Sequence, residues 1–298
     1  MNWFSPKKVI VQGITESQAA VYAVQMKASG TEIVAGISPG NGGSEVDDIP
    51  VFDLVEQVLN QVKQIDISLI FVDPFQVLDA AKEAIAAGIK KIIIFTANVP
   101  PLDTIELLKY AQAKDVLVLG PGSHGVVIPQ QSWLGKLEPQ FYRPGEVGLL
   151  TTSQHLSYEV AAELNQANMG QSIVVSLGED RIVGSSLPQW LAILQSNSNT
   201  KAIVSICQSI NQAEEITTYC KNNGDDKPII VYVAGLKAPQ EKVFRDAVTI
   251  ISNNLSSSIP AVNRDRQKIS KLKKAGIKIA RKPSEIPAII QKALSTTT

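Results

Sequence analysis

Val9-Ile10-Val11-Gln12-Gly13-Ile14-Thr15-Glu16-Ser17-Gln18 joins an apolar β-branched run to a glycine and a cluster of capping residues, and a helical pattern follows over residues 17–27. A run without polar interruption suits a strand covered on both faces, and such strands belong to parallel sheets. The same alternation continues through the first 120 residues. Strands are expected at 33–37, 67–72, 92–95 and 116–119, and helices at 53–64, 76–87 and 102–113. Repeated strand–helix–strand units with right-handed crossovers give a parallel α/β sheet.

The period is lost between residues 121 and 146. Pro121, Pro129, Pro139 and Pro144 alternate there with Gly122, Gly125, Gly135 and Gly145, which reads as a linker. The alternation then returns, with strands expected at 147–150, 173–176, 202–206, 229–233 and 277–280. Helices are expected at 156–168, 187–195, 212–221, 262–274 and 283–294. The expected organisation is an N-terminal α/β domain over 1–125, a linker over 126–146, and a smaller parallel α/β domain over 147–298.

Composition narrows the function classes. The chain of 298 residues carries 28 basic and 28 acidic side chains, so no net charge draws it to nucleic acid or an anionic membrane. The basic stretch around Arg264, Arg266 and Lys268 reads as a solvated helix face. No apolar run approaches the roughly 18 residues of a membrane span, and the N-terminus has no leader pattern, so a soluble, cytoplasmic protein is expected. Two cysteines fit neither a disulfide scaffold nor a thiolate zinc site, and two histidines leave no room for a multi-histidine metal centre. No metal site is expected.

Open α/β sheets bind ligands beyond the carboxyl ends of their strands. Four loops lie there. Residues 12–18 hold Gly13 for a tight turn and Thr15 and Ser17 to cap a helix or bind a phosphate, though an ordinary strand–helix turn uses the same residues. The G-x-G-x-x-G dinucleotide pattern is missing, so a nicotinamide-dependent oxidoreductase is disfavoured. Residues 38–43 place three glycines in four positions, either for close approach to a ligand or for flexibility. Residues 120–125 set His124 among glycines. Residues 151–156 enter a helix with Thr151, Thr152 and Ser153, which suits an oxyanion or plain capping.

Taken in order, these loops resemble the α subunit of succinyl-CoA synthetase, the nucleoside-diphosphate-forming succinate–CoA ligase. Gln-Gly-x-Thr-x-Ser-Gln at 12–18 matches the family's CoA-phosphate loop, and Pro39-Gly40-x-Gly42-Gly43 matches its second loop. Pro100-x-Leu102-Asp103, Gly120-Pro121, Ser157-Tyr158-Glu159, Gly170-Gln171-Ser172, Gly178-x-Asp180 and Ala234-Gly235-x-x-Ala238-Pro239 follow in register. The resemblance covers nearly the whole chain. It implies a Rossmann-like CoA-binding domain followed by a flavodoxin-like ligase domain. CoA contacts are implied for Thr15, Glu16, Ser17, Gln18, Pro39, Gly40, Asn41 and Thr96, and an anion site for Ser153, Gln154 and His155. Tyr158 is implied at the substrate or subunit interface. It also implies a β subunit, in a heterodimer or heterotetramer, that holds Mg-ATP or Mg-GTP.

The departures fall where the family's chemistry lies. The family's phosphorylated histidine sits in a Gly-His-Ala-Gly-Ala-Ile-Ile segment. The matching residues are Arg245-Asp246-Ala247-Val248-Thr249-Ile250-Ile251. Asp246 takes the place of the histidine, and Gln208 that of the glutamate that orients it. A CoA-loop lysine becomes Asn41, so weaker CoA binding is expected, with recovery on restoring lysine there. Asn-Cys-Pro near the reacting centre becomes Gly122-Ser123-His124, and neither His124 nor His155 is placed to carry a phosphoryl group between sites. Two readings remain open at this stage. One is an acyl-CoA ligase subunit that works with a β partner. The other is a non-catalytic CoA- or acyl-CoA-binding regulatory or structural protein.

Overall fold

The computed structural model describes residues 8–207, 210–223, 226–234, 269, 272–273 and 276–295. The first sheet is built from β1 (Val9–Gln12), β2 (Ile33–Ile37), β3 (Glu45–Val46), β4 (Ile49–Phe52), β5 (Ile67–Ile70), β6 (Lys91–Ile94) and β7 (Leu117–Leu119). Its strand order is β3-β4-β2-β1-β5-β6-β7, parallel except where β3 folds back on β4. Helices α1 (Ser17–Ala28), α2 (Val55–Leu59), α3 (Val77–Ala86) and α4 (Pro101–Ala113) supply the crossovers. All four residues of β1 and of β5 are buried, which is why these strands read as nearly continuous apolar runs, with Gln12 and Ser68 bonded to each other. Helix α1 turns Ala19, Ala23 and Met26 to the sheet at helical spacing. The order doubles back between β1 and β5, and a crevice opens at the carboxyl ends of strands where order reverses.

The second sheet holds β8 (Gly125–Ile128), β9 (Ser132–Gly135), β10 (Pro144–Thr151), β11 (Gln171–Ser176), β12 (Ala202–Cys207), β13 (Ile229–Val233) and β14 (Lys278–Ala280), in the order β14-β13-β12-β10-β11-β8-β9. Helices α5 (Gln154–Gln166), α6 (Leu187–Ser196), α7 (Ile210–Asn223) and α8 (Ile286–Ser295) belong to this half. Among the described residues, no helix is long and apolar enough to cross a membrane.

Three expectations change. The stretch expected as a linker contains a β-hairpin, and β8 pairs antiparallel with β11. The second sheet is therefore mixed rather than wholly parallel. Each hairpin strand has only four residues, and Gly125 pairs with Gly135 across the ladder, so the sequence shows glycine punctuation where the fold has strand. The helix expected over 53–64 shortens to α2, because Val55 and Val58, its buried contacts, span a single turn. Most of the helix expected over 262–274 lies outside the described residues.

The hairpin also joins the two sheets. A continuous cluster of buried apolar residues runs from Val9 and Ile14 through Trp133 and Leu134 to Leu149 and Ile173. Thr31 Oγ1 donates to the Trp133 carbonyl at 2.7 Å in buried surroundings, and the Gly135 N–H points at Met26 Sδ at 3.1 Å. Both contacts reach from the end of α1 to β9.

Candidate ligand site

The loop after β1 depends on Gly13, which takes φ +80°, where an L side chain is strained. A Cβ there would stand 2.9 Å from the Val72 backbone nitrogen, so the turn passes hard against the end of β5. Behind it, buried Gln12 ties β1 to α3 and β5: its Nε2 donates to the Ala80 carbonyl at 2.9 Å, and its Oε1 accepts from Ser68 Oγ at 2.7 Å. Helix α1 then opens with Glu16 at the N-cap, and the Glu16 side chain makes no capping bond. The backbone N–H groups of Ser17, Gln18 and Ala19 meet no protein acceptor among the described residues. An uncapped helix start carries partial positive charge and free donors, the elements of an anion site.

That helix start faces a cavity of about 520 Å³ at the point where the strand order reverses. Its walls include Glu16, Ser17, Gln18, Phe71, Thr96 and Lys136. Thr96 Oγ1 donates to the Val72 carbonyl at 2.6 Å, fixing one wall. Four of the expected CoA residues therefore share one cavity: Glu16, Ser17, Gln18 and Thr96. Thr15 stands beside it, its hydroxyl 2.7 Å from Ser38 Oγ.

The second loop is arranged differently. Pro39, Gly40 and Asn41 are not among the cavity's lining residues. The N–H groups of Gly40 and Gly42 both donate to Asp53 Oδ1, at 2.7 and 3.0 Å. Asn41 Nδ2 donates to Ser38 Oγ at 2.9 Å. The glycine-rich loop already holds a carboxylate, supplied by its own chain.

Lys136 was not found by sequence reasoning. It follows β9, inside the stretch expected as a linker. Its Nζ lies 5.6 Å from the centroid of Phe71 and 6.0 Å from that of Phe95, and those rings stack at 4.3 Å. Gly135 makes room for this, because a Cβ at that position, φ +125°, would stand 2.2 Å from Phe95 Cε1. Burial lowers the Lys136 pKa below the ordinary lysine range, with the Glu179 carboxylate acting in the opposite direction. Lys136 makes no ion pair among the described residues. The sequence signal that could have found it is a lysine placed just after the apolar pair Trp133-Leu134.

The loop over 120–124 connects the two sheets at the cavity's edge. Gly122 N–H donates to the Thr96 carbonyl at 2.9 Å, and Gly120 N–H to the Leu177 carbonyl at 3.3 Å. Ser123 is buried, with Oγ donating to the Ser176 carbonyl at 2.6 Å. His124 Nε2 lies 3.0 Å from Glu179 Oε1, and its buried Nδ1 has no partner. Next in the chain, Asp180 accepts from the N–H groups of Asn98 at 3.0 Å and Val99 at 3.2 Å.

The other expected anion site begins α5. Ser153 is the N-cap without a side-chain capping bond, and its own N–H donates to Thr151 Oγ1 at 2.9 Å. The Gln154 side chain turns away from the helix start, donating to Tyr158 Oη at 2.7 Å and to the Lys136 carbonyl at 3.2 Å. His155 is exposed. Tyr158 also accepts from the Glu138 N–H at 3.0 Å and stacks on Phe141 at 4.2 Å. Asp246 and Gln208 lie outside the described residues.

Among the described residues, no group of three or more His, Cys, Asp or Glu side chains is placed to hold a metal ion. A second cavity of about 300 Å³ lies near Pro144, Gly170 and Ala202, at the amino ends of their strands, the end of an α/β sheet that ligands avoid.

Comparison with known proteins agrees on both halves. Residues 4–98 match the CoA binding domain model, and residues 144–252 match the succinyl-CoA ligase like flavodoxin domain. The chain is 33% identical over 287 residues to a protein of Archaeoglobus fulgidus, the succinate–CoA ligase [ADP-forming] subunit alpha 2, covering 96% of this chain and 97% of that one. It is 32% identical over 286 residues to the succinate–CoA ligase [ADP-forming] subunit alpha of Staphylococcus aureus, covering 96% and 92%. Among solved structures, Methanosaeta concilii ATP citrate lyase with (3S)-citryl-CoA superposes over the full chain with TM-score 0.79 at 18% identity. This chain spans 51% of that longer one, and the likeness at that identity is one of fold.

Proposed function

We infer a function from one premise: the chain belongs to the succinate–CoA ligase α-subunit family. It is a CoA-binding, α-subunit-like component that pairs with a nucleotide-binding β subunit and does not run the family's phosphohistidine route. The observation that carries CoA binding is the cavity at the uncapped start of α1, where Ser17, Gln18 and Thr96 converge. A diphosphate set there accepts from free helix N–H groups and lies along the dipole axis. We assign CoA to the domain over 1–125. The flavodoxin-like domain, expected over 147–298, keeps an anion-accepting helix start at Ser153, Gln154 and His155, and the hairpin inside the stretch expected as a linker over 126–146 belongs to its sheet.

The sequence carries the second half of the reading. An imidazole takes a phosphoryl group on nitrogen and releases it readily, whereas a carboxylate such as Asp246 would have to form an acyl phosphate. Gln208, an amide, offers no charge to orient such a group. The stretch between Leu236 and Ala275 contains no glycine to hinge a swinging loop. Mg-ATP or Mg-GTP therefore belongs to the β partner alone.

Two measurements test this. Calorimetry on the full chain should show CoA binding, and absence of heat at millimolar CoA removes the assignment. Labelled ATP with magnesium and a β subunit should leave no phosphate on this chain. Label on Asp246 would restore the active-ligase reading, and label lost in His155→Ala or His124→Ala would name a relocated carrier.

A further inference from the structure

We propose that Lys136 is the cation on which the cavity's anionic ligand docks, holding the diphosphate of CoA together with the start of α1. This deepens the CoA reading and rests on it for the ligand's identity.

Two independent features converge. The first is the cavity's charge. Its described lining includes the carboxylates Glu16 and Asp73 but only one cation, Lys136. A polyanion entering there needs a positive partner beyond the helix start. The loop that should supply one is already satisfied internally: Asn41 is bonded to Ser38, and Gly40 and Gly42 donate to Asp53. Any charged contact must come from elsewhere, and Lys136 is the side chain that reaches the space.

The second is how Lys136 is held. Its ammonium lies over the stacked rings of Phe71 and Phe95 and makes no ion pair among the described residues. Glu179, the acid whose charge acts on it, is engaged with His124. A partly desolvated ammonium over aromatic faces is positioned but not neutralised. Because Lys136 follows β9 of the second sheet while α1 belongs to the first, one diphosphate would be gripped by both halves of the molecule. Its chemistry is that of a charge-assisted, point-charge contact to phosphate oxygen.

The test is calorimetry on the full chain with CoA, ADP and inorganic pyrophosphate as probes. Lys136→Met keeps the apolar stem over the rings and removes the charge, and it should weaken CoA binding about ten- to hundredfold. Lys136→Arg should stay within about fivefold of wild type, because the charge and the ring contact both survive. Far-ultraviolet circular dichroism confirms that each variant folds. Normal CoA affinity in Lys136→Met, or full rescue of that variant by Asn41→Lys, would put the anion at the second loop and overturn the proposal. If wild type binds pyrophosphate and ADP through Lys136 but not CoA, the docking role stands and the CoA reading fails. If no probe binds wild type, both fall.

Discussion

Replacing Asp180 with alanine should loosen the join between the two halves, and the geometry sets the size of the effect. The Asp180 carboxylate accepts from two successive backbone N–H groups, Asn98 at 3.0 Å and Val99 at 3.2 Å. Asn98 is exposed, so water replaces the lost acceptor and that bond counts for about 0.5 kcal/mol. Val99 is buried, and an N–H stranded there costs about 1–3 kcal/mol. The total is about 1.5–3.5 kcal/mol. Asp180→Asn keeps one oxygen as an acceptor without the charge and should lose roughly half of that. Urea unfolding gives the free energy, and amide hydrogen exchange locates it, with protection falling at Asn98 and Val99 before the centre of β1. Two separated unfolding transitions in the alanine variant would show that the join makes the halves unfold together. Unfolding within about 0.5 kcal/mol of wild type, with Val99 protection intact, would refute the reasoning.

Ser17→Asp puts a negative charge at the first turn of α1, so it should stabilise the unliganded protein by about 0.3–1 kcal/mol while weakening CoA binding at least tenfold. Thermal melts and calorimetry on the same sample read both. Lys136→Met should stabilise the unliganded protein, because burial depresses the lysine pKa in the folded state. The folded chain holds that proton less tightly than the unfolded one, so the variant's advantage is complete below the folded pKa. It should shrink as pH rises through that value toward the ordinary lysine range, and an advantage that grows with pH would contradict the sign. The Cys207 thiol is buried and pushed up to about 11 by desolvation; it should resist thiol reagents at neutral pH in the native protein and react once urea unfolds it.

The parts of the fold that were legible are those where one physical demand fixes the residue type. β1 and β5 are buried on both faces, so every residue is apolar or internally bonded, and no other reading of 9–12 or 67–70 survives. The hairpin β8–β9 was not legible, because its four-residue strands end in glycines that the close approach of Phe95 and of the facing strand demands. The same division runs through the site. Glu16, Ser17, Gln18 and Thr96 follow directly after strands of a parallel sheet, a place that topology alone marks for ligands. Lys136 reaches the cavity only because the hairpin folds it over Phe71 and Phe95 from far along the chain. Nor could loop composition tell that Asp53 would occupy the Gly40 and Gly42 amides, since glycines that can cradle a ligand can equally cradle their own carboxylate.

His124 touches Glu179, which lies between Gly178 and Asp180. Its neighbours bind across the same seam: Ser123 to the Ser176 carbonyl, Gly120 to the Leu177 carbonyl, Asp180 to Asn98 and Val99. A reacting centre needs groups left free to meet substrate, with a nucleophile in reach of a base. Here the polar groups of the seam bond to one another across the sheets, and the imidazole keeps one nitrogen on a carboxylate and the other buried. That arrangement ties the cleft together beside a cavity that presents an uncapped helix start and, among the described residues, a cation without an ion pair. A seam that closes on itself beside a cavity with a free helix start supports the proposed reading, a protein that holds CoA without carrying a phosphoryl group.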